Sequence, residues 1–156
     1  MSGLTADERR RLEGLIRHVD CSRVRLHRAP GSGVAGRLRA LVLWASRGRS
    51  IALGNHVFLP DGRADDLPTL AHELTHCGQY QTWGAWRYFL GGAAAQLRDL
   101  FHRTLGVGSS PYHYRLEVGK PFEAYGMEQQ GQIVEDGFRG DAAALAVLPF
   151  RPSDLA

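Results

Sequence analysis

Residues 70–76 of the chain read Leu-Ala-His-Glu-Leu-Thr-His. On a helix of 3.6 residues per turn, His72 and His76 project from nearly the same face, so both imidazoles can bind one metal ion. Glu73 stands one step round, able to reach a metal-bound water without ligating the metal. This is the HExxH pattern, which pairs two zinc ligands with a general base. Zinc takes neutral imidazoles, keeps a position open for water, and lowers the pKa of that water to about 7. A neighbouring carboxylate then takes the proton as water attacks a carbonyl and passes it to the leaving amine. The chemistry expected of these residues is peptide-bond hydrolysis with one Zn²⁺ as cofactor.

Such a site needs a third protein ligand. The metzincin extension would place glycine at position 79 and histidine at 82, where Gln79 and Thr82 stand, so that route is closed. A glutamate from a later helix is the other route, and Glu117, Glu123, Glu128 and Glu135 are the candidates. Glu117 falls in a loop region and Glu123 opens a helix. Glu135 adjoins Asp136 near the helix end and reads as half of a solvated acidic pair. Glu128 lies mid-helix, with Gln132 one turn on as a residue that can orient a ligand histidine through a hydrogen bond. Spacing alone does not choose among them. A donor for the oxyanion of the tetrahedral intermediate is also needed. Tyr112, His113, Tyr114 and Tyr125 are candidates by residue type.

The elements that must position these groups can be read from periodicity. Thr5-Ala6-Asp7-Glu8 fits a capping box opening an amphipathic helix over 6–19. Val24–His27 alternates as a short strand, and Pro30–Gly33 punctuates it. Leu38, Leu41, Val42 and Ala45 favour a helix from Val34, with a buried strand over Leu41–Trp44 as the alternative. Ser50–Pro60 reads as one strand with a Gly54-Asn55 irregularity. Asp66 and Pro68 open the helix carrying the histidines, which Gly84 ends. Trp86–Arg103 and 122–138 predict further helices, Tyr112–Leu116 a strand, and Ala142–Leu148 a last turn or two. The fold class is α+β. Cys77 points about 100° from His76 and reads as a buried small residue. Trp83, Trp86, Tyr88 and Phe89 read as core before groove.

A chain of 156 residues is long enough for one domain with its own core. It is read as a single domain, 1–156, with a basic N-terminal part at 1–50 and a metal-site core at 51–138. The net charge of +3 is low for a protein that lives on phosphate backbones, so no nucleic-acid partner is expected. The first fifty residues carry eleven arginines and four acids, which reads as a solvated face. Cys21 and Cys77 make no disulfide framework. Without a signal peptide or an uninterrupted apolar span, the expected location is cytoplasmic, with no membrane partner.

The Leu70–His76 segment, followed by Gln79-Tyr80-Gln81 and later Glu128-Gln129-Gln130, resembles small zincin-like bacterial proteins. These are described as Vgr-related and associated with type VI or other contractile injection systems. The resemblance runs from about Ile51 to Phe138, includes Tyr112-His113-Tyr114, and owes little to residues 1–50. It implies a zincin-like fold, mostly helical with a small sheet and the HExxH helix at its centre. It implies His72, His76 and Glu128 as ligands, Glu73 as base, a peptide or protein substrate and a secretion-system partner. It also implies that the Ile51–Leu59 strand offers an edge to an extended peptide. Many gluzincins carry Asp four residues after the ligand Glu. Gln132 stands here and cannot supply that charge. The runner-up reading is a non-catalytic zinc-binding assembly or adaptor domain of an injection system.

Overall fold

A computed structural model of the chain describes residues 2–28, 33–105 and 112–151. The punctuation expected at Pro30–Ser32 and the loop over 106–111 lie outside the described residues. Seven α-helices and three short strands are present among those described: α1 (Ala6–Arg11), α2 (Glu13–Ile16), β1 (Arg25–His27), α3 (Gly33–Ala45), β2 (Ile51–Leu53), β3 (His56–Phe58), α4 (Leu67–Trp83), α5 (Ala85–Leu105), α6 (Met127–Phe138) and α7 (Ala142–Val147). The fold is mixed α+β, mostly helical with one three-stranded sheet.

The capping box at Thr5 forms as expected: its hydroxyl accepts from the Glu8 amide, and the Glu8 carboxylate accepts from the Thr5 amide. The helix expected over 6–19 is instead two short ones, broken at the fully buried Leu12, where φ is −96°. Just beyond the break, a side chain at Gly14 would meet the Arg151 carbonyl at 2.7 Å. The C-terminal segment therefore presses directly on the backbone of α2.

The single strand expected over 50–60 is a hairpin. Gly54 takes φ +64° in a two-residue turn, a conformation that hairpin turns reserve for glycine, and β2 pairs antiparallel with β3. β1 adds parallel to β3, giving the order β1-β3-β2 and leaving β2 at one edge. No strand forms over Tyr112–Leu116. That segment is tied to α6 by single hydrogen bonds, such as Gln129 Nε2 donating to the His113 carbonyl at 2.8 Å.

α3 does not bury the face that its periodicity suggests. Leu38, Leu41 and Trp44 are exposed, and its buried residue is Arg39. The Arg39 guanidinium donates to the carbonyls of His27 (3.2 Å), Arg28 (3.0 Å) and Leu59 (2.7 Å) and to Asp61 (2.7 Å). It thereby satisfies the carbonyls of Arg28 and Leu59, just beyond β1 and β3, and adds a second bond to the His27 carbonyl, which already accepts from the Leu59 amide. One arginine of the basic half is thus a bolt, not a solvated charge.

The core joins both halves of the chain. Leu12, Val24 and Leu26 pack with Val57, Leu70, Leu74 and Val134 around α4. α4 is enclosed from Thr69 to Gln79, with every residue in that stretch buried. A helix with His72, Thr75, His76 and Gln79 buried together must find hydrogen-bond partners for them to offset desolvation.

Candidate metal centre

α4 and α6 cross over His72 and His76. The imidazole Nε2 atoms of the two histidines stand 3.1 Å apart, and Glu128 Oε2 lies 3.8 Å from the first and 3.5 Å from the second. Ligand atoms about 2.05 Å from a tetrahedral zinc are about 3.3 Å from one another. The three observed separations average about 3.5 Å, near that edge, and their corners lie on a circle of about 2.0 Å radius, against about 1.9 Å for the face of such a tetrahedron. His72, His76 and Glu128 therefore form one face of a tetrahedron of the size a zinc ion requires.

The hydrogen bonds behind the histidines fix which nitrogen faces that point. Gln130 Nε2 donates to the carbonyls of Tyr125 (2.8 Å) and Glu123 (3.3 Å), which can only accept. Its Oε1 must then face Gln79 Nε2 at 2.9 Å, and that amide also donates to the Met127 carbonyl. Gln79 Oε1 is left to accept from His76 Nδ1 at 2.8 Å. The proton sits on Nδ1, and Nε2 offers its lone pair to the ligand point. His72 is oriented likewise, its Nδ1 donating to Glu135 Oε2 at 3.0 Å. At these distances the two rings and the carboxylate share positive charge, carried by a proton on the rings when no metal is bound.

The role expected of Gln132 falls to another residue. Its amide donates to Asp136 at 2.9 Å and leaves the histidines alone. Glu135, expected to be a solvated acid, is the residue that orients His72, and Arg139 anchors its other oxygen at 2.6 Å. Positions 128 and 135 are two turns apart on one face of α6, which is why both carboxylates reach His72. Gly131 lies between them. A Cβ there would stand 2.8 Å from His72 Nε2, so the absence of a side chain makes room for the ligand ring. Gln79, Gln130, Gly131 and Glu135 carry no signature of these roles in the sequence; only the spacing of seven between Glu128 and Glu135 hints at one.

The rings and two of the carboxylates hold one another in their charged forms. For His72, burial opposes the charged form, but hydrogen bonds to Glu128 and Glu135 outweigh it and hold the ring up at about 10. Burial raises Glu128 as well, yet the two histidines prevail and pull its carboxyl far below the usual range. Glu135 is pulled down to about 2 against burial by its bonds to His72 and Arg139. Glu73 goes the other way: burial pushes its carboxyl up, only partly countered by the histidines. Its oxygens accept no hydrogen bond among the described residues, and it lines the cleft beside the ligand face.

That cleft is about 930 Å³, walled by β2 and its approach, by the start of α5 and by the ligand residues. Of the four oxyanion candidates, Tyr112 lines it. Tyr114 donates to Asp136 at 2.6 Å, Tyr125 accepts from the Glu117 amide in a small second core, and His113 sits on a separate shallow surface. Tyr88, expected in the core, is buried and donates to the Ala52 carbonyl of β2 at 2.8 Å. Trp86 and Phe89 are exposed, and Phe89 joins the cleft wall. Cys77 is buried, as expected, and lies outside the ligand set. No helix among the described residues is long and apolar enough to cross a membrane.

Comparison with known proteins places this geometry in a context. A segment of the chain is 36% identical over 107 residues to the type VI secretion system spike protein VgrG2b of Pseudomonas aeruginosa, covering 62% of this chain and 10% of that protein. The chain thus spans about a tenth of the length of this curated relative. No solved structure matches. Residues 3–84 match the eCIS core domain, a stretch that takes in the first fifty residues, from which little resemblance was expected. Since that match covers more than half of the sequence, the chain belongs to the eCIS core domain family.

Proposed function

We propose that this chain is a zinc-binding domain working within a bacterial contractile injection system, the zinc held by His72, His76 and Glu128. The observation that carries this reading is the convergence of two oriented imidazole nitrogens and one carboxylate on a single point, in a chain of the eCIS core family. The similarity to a segment of a secretion-system spike protein supports the same setting. Family membership favours a part in the apparatus, assembled with its proteins, over a free-standing protease.

A second reading concerns what the zinc does there. Glu73 supports peptide-bond hydrolysis in a zincin-like site: a purely structural zinc has no use for an unbonded carboxylate on the open side of its ligand face. When bound, zinc supplies Lewis-acid polarisation and makes a coordinated water acidic. Glu73 is placed to take a proton from a water in the cleft and return it to a leaving amine, and burial raises its basicity for that task. Glu135 and Gln79 hold the ligand rings so that neither swings during turnover. The edge strand β2 offers main-chain hydrogen bonds to an extended substrate along the same cleft.

Metal analysis with three variants tests both readings. Wild type and Glu73→Gln should carry one zinc per chain, and His72→Ala and Glu128→Ala none. Zinc-free wild type overturns the proposal. Under the hydrolytic reading Glu73→Gln abolishes cleavage of an unfolded protein substrate; under the assembly reading it leaves the injection apparatus working.

A further inference from the structure

We infer that the end of the cleft formed by Arg47, Arg49 and Ser50 is a recognition site for acidic side chains of a polypeptide. The inference rests on the cleft's being a polypeptide-binding site, as proposed above, but not on hydrolysis.

Three observations carry it. The first is charge: Arg47, Arg49 and Arg63 all line the cleft. Among the described residues none of these guanidinium groups has a carboxylate within ion-pair distance. Arg49 donates to the Tyr112 hydroxyl at 3.3 Å, and Arg63 to Thr69 at 3.4 Å. The acids of the cleft are engaged elsewhere. Glu128 and Glu135 face the histidines, Glu73 lies beside the ligand face, and Asp99, which acts on Tyr112, has an interaction of its own.

The second is conformation. α3 ends in a Schellman turn: the Gly48 amide donates to the Leu43 carbonyl at 2.7 Å, and the Arg47 amide to the Trp44 carbonyl at 3.0 Å. In that turn the residue at position 47 must be left-handed. Arg47 has φ +57°, the only non-glycine among the described residues with positive φ. Glycine is the usual occupant because it takes this conformation without strain. An arginine kept at a glycine position, with its side chain on the cleft, is explained by what its guanidinium binds.

The third is Ser50, whose hydroxyl is buried, lines the same end of the cleft and has no hydrogen-bond partner. Two guanidinium groups without carboxylate partners are donors matched to a carboxylate, and the unpartnered Ser50 hydroxyl close by in the chain is a further one should the wall shift to admit it. Ser50 also immediately precedes β2. A chain lying along that edge strand would therefore bring its side chains past these donors.

Binding of short labelled peptides to zinc-loaded Glu73→Gln protein at low ionic strength tests the inference. Acidic peptides and their Asn/Gln counterparts form the two arms. The acidic peptide should bind about tenfold tighter, and the gap should shrink with added salt. Arg47→Gly with Arg49→Ser should level the two affinities and leave zinc content unchanged. Arg47→Gly alone should weaken acidic-peptide binding while raising the thermal midpoint, by about 2–4 °C. A residue retained for structure would not separate those readouts. Equal affinities for acid and amide, a preference that survives the double variant, or displacement of the peptide by single-stranded DNA at equal concentration would overturn it. Cleavage of the acidic peptide by wild type is scored separately. A preference without cleavage sinks the hydrolytic reading alone, and cleavage without preference sinks this one alone.

Discussion

Replacing Gly131 by alanine is the sharpest probe of the site, because two effects of opposite sign can be weighed. Glycine inside α6 costs the fold about 0.5–1 kcal/mol relative to alanine, so on propensity alone the substitution stabilises. Against this, the new Cβ would lie 2.8 Å from His72 Nε2 and 3.0 Å from its two neighbouring ring carbons. Real contacts of this type begin near 3.4 Å, so the ring must retreat by roughly half an ångström or α6 must lift away. Neither is free. His72 is pinned from behind by Glu135, and α6 packs through Val134 into the main core. Shifting one corner of a ligand triangle whose size already fits the face of a zinc tetrahedron takes that nitrogen out of bonding range. Overpacking costs about 1–3 kcal/mol. The zinc affinity should fall by about 100-fold, or 2.7 kcal/mol. Competition titration against a chromophoric chelator measures this, with far-ultraviolet circular dichroism to show that the helices persist. Gly92→Ala is the control: it lies on α5 at the cleft with nothing within 4 Å of the added carbon, and its affinity should match wild type. If Gly131→Ala binds zinc within threefold of wild type, the three side chains do not share an ion in the arrangement described.

Three further outcomes are expected. Glu135→Gln should lower zinc affinity about 10- to 100-fold, as loss of a group orienting a ligand does, while Gln132→Ala leaves it unchanged; chelator competition on both variants decides between the two residues. Arg39→Met should cost about 1–3 kcal/mol in urea unfolding, because it orphans the buried carbonyl of Leu59, with no change in zinc stoichiometry. Zinc loading should release a proton at pH 7 to 8, since carboxylates hold the metal-free His72 charged up to about 10 and the metal needs it neutral. Affinity should therefore weaken as pH falls, and calorimetry in buffers of different ionisation enthalpy counts the protons.

Much of the fold could be read in the residues. The capping box at Thr5, the Asp66-Pro68 opening of α4 and its end at Gly84 are local signals, decided within a turn of helix. What could not be read depends on distant contacts. The break at Leu12 belongs to a side chain buried from every direction and to a C-terminal segment packing on Gly14. The exposed face of α3 was hidden because Arg39, a residue type that usually marks solvent, is the one turned inward. The hairpin at Gly54-Asn55 looked like an irregular strand because both arms are only three residues long. At the site, HExxH announced His72, Glu73 and His76, since all three sit within five residues of one helix. Spacing alone leaves Glu128 one of four acids, and only the resemblance singles it out; the packing of α6 on α4 is what brings it to the histidines. Glu135 was misjudged because an acid beside an acid near a helix end is normally solvated, and nothing local discloses a histidine sixty-three residues away.

The two histidines are held by different means, and the difference bears on what the site can do. His72 leans on a carboxylate, which increases its basicity and strengthens it as a ligand. His76 leans on a neutral amide whose direction is set, through Gln130, by backbone carbonyls of the 3₁₀ turn before α6. An amide chain of this kind fixes a tautomer without adding charge. With three carboxylates already within reach of the metal, a fourth behind His76 would leave the centre more anionic and the metal a weaker acid. The arrangement would instead leave a bound ion electron-poor on the His76 side while locking both rings. That combination suits a centre required to polarise something bound in its open position. The hydrogen bond from the Gln79 side-chain amide to that of Gln130 also ties α4 to α6, so the two helices are joined there without a metal.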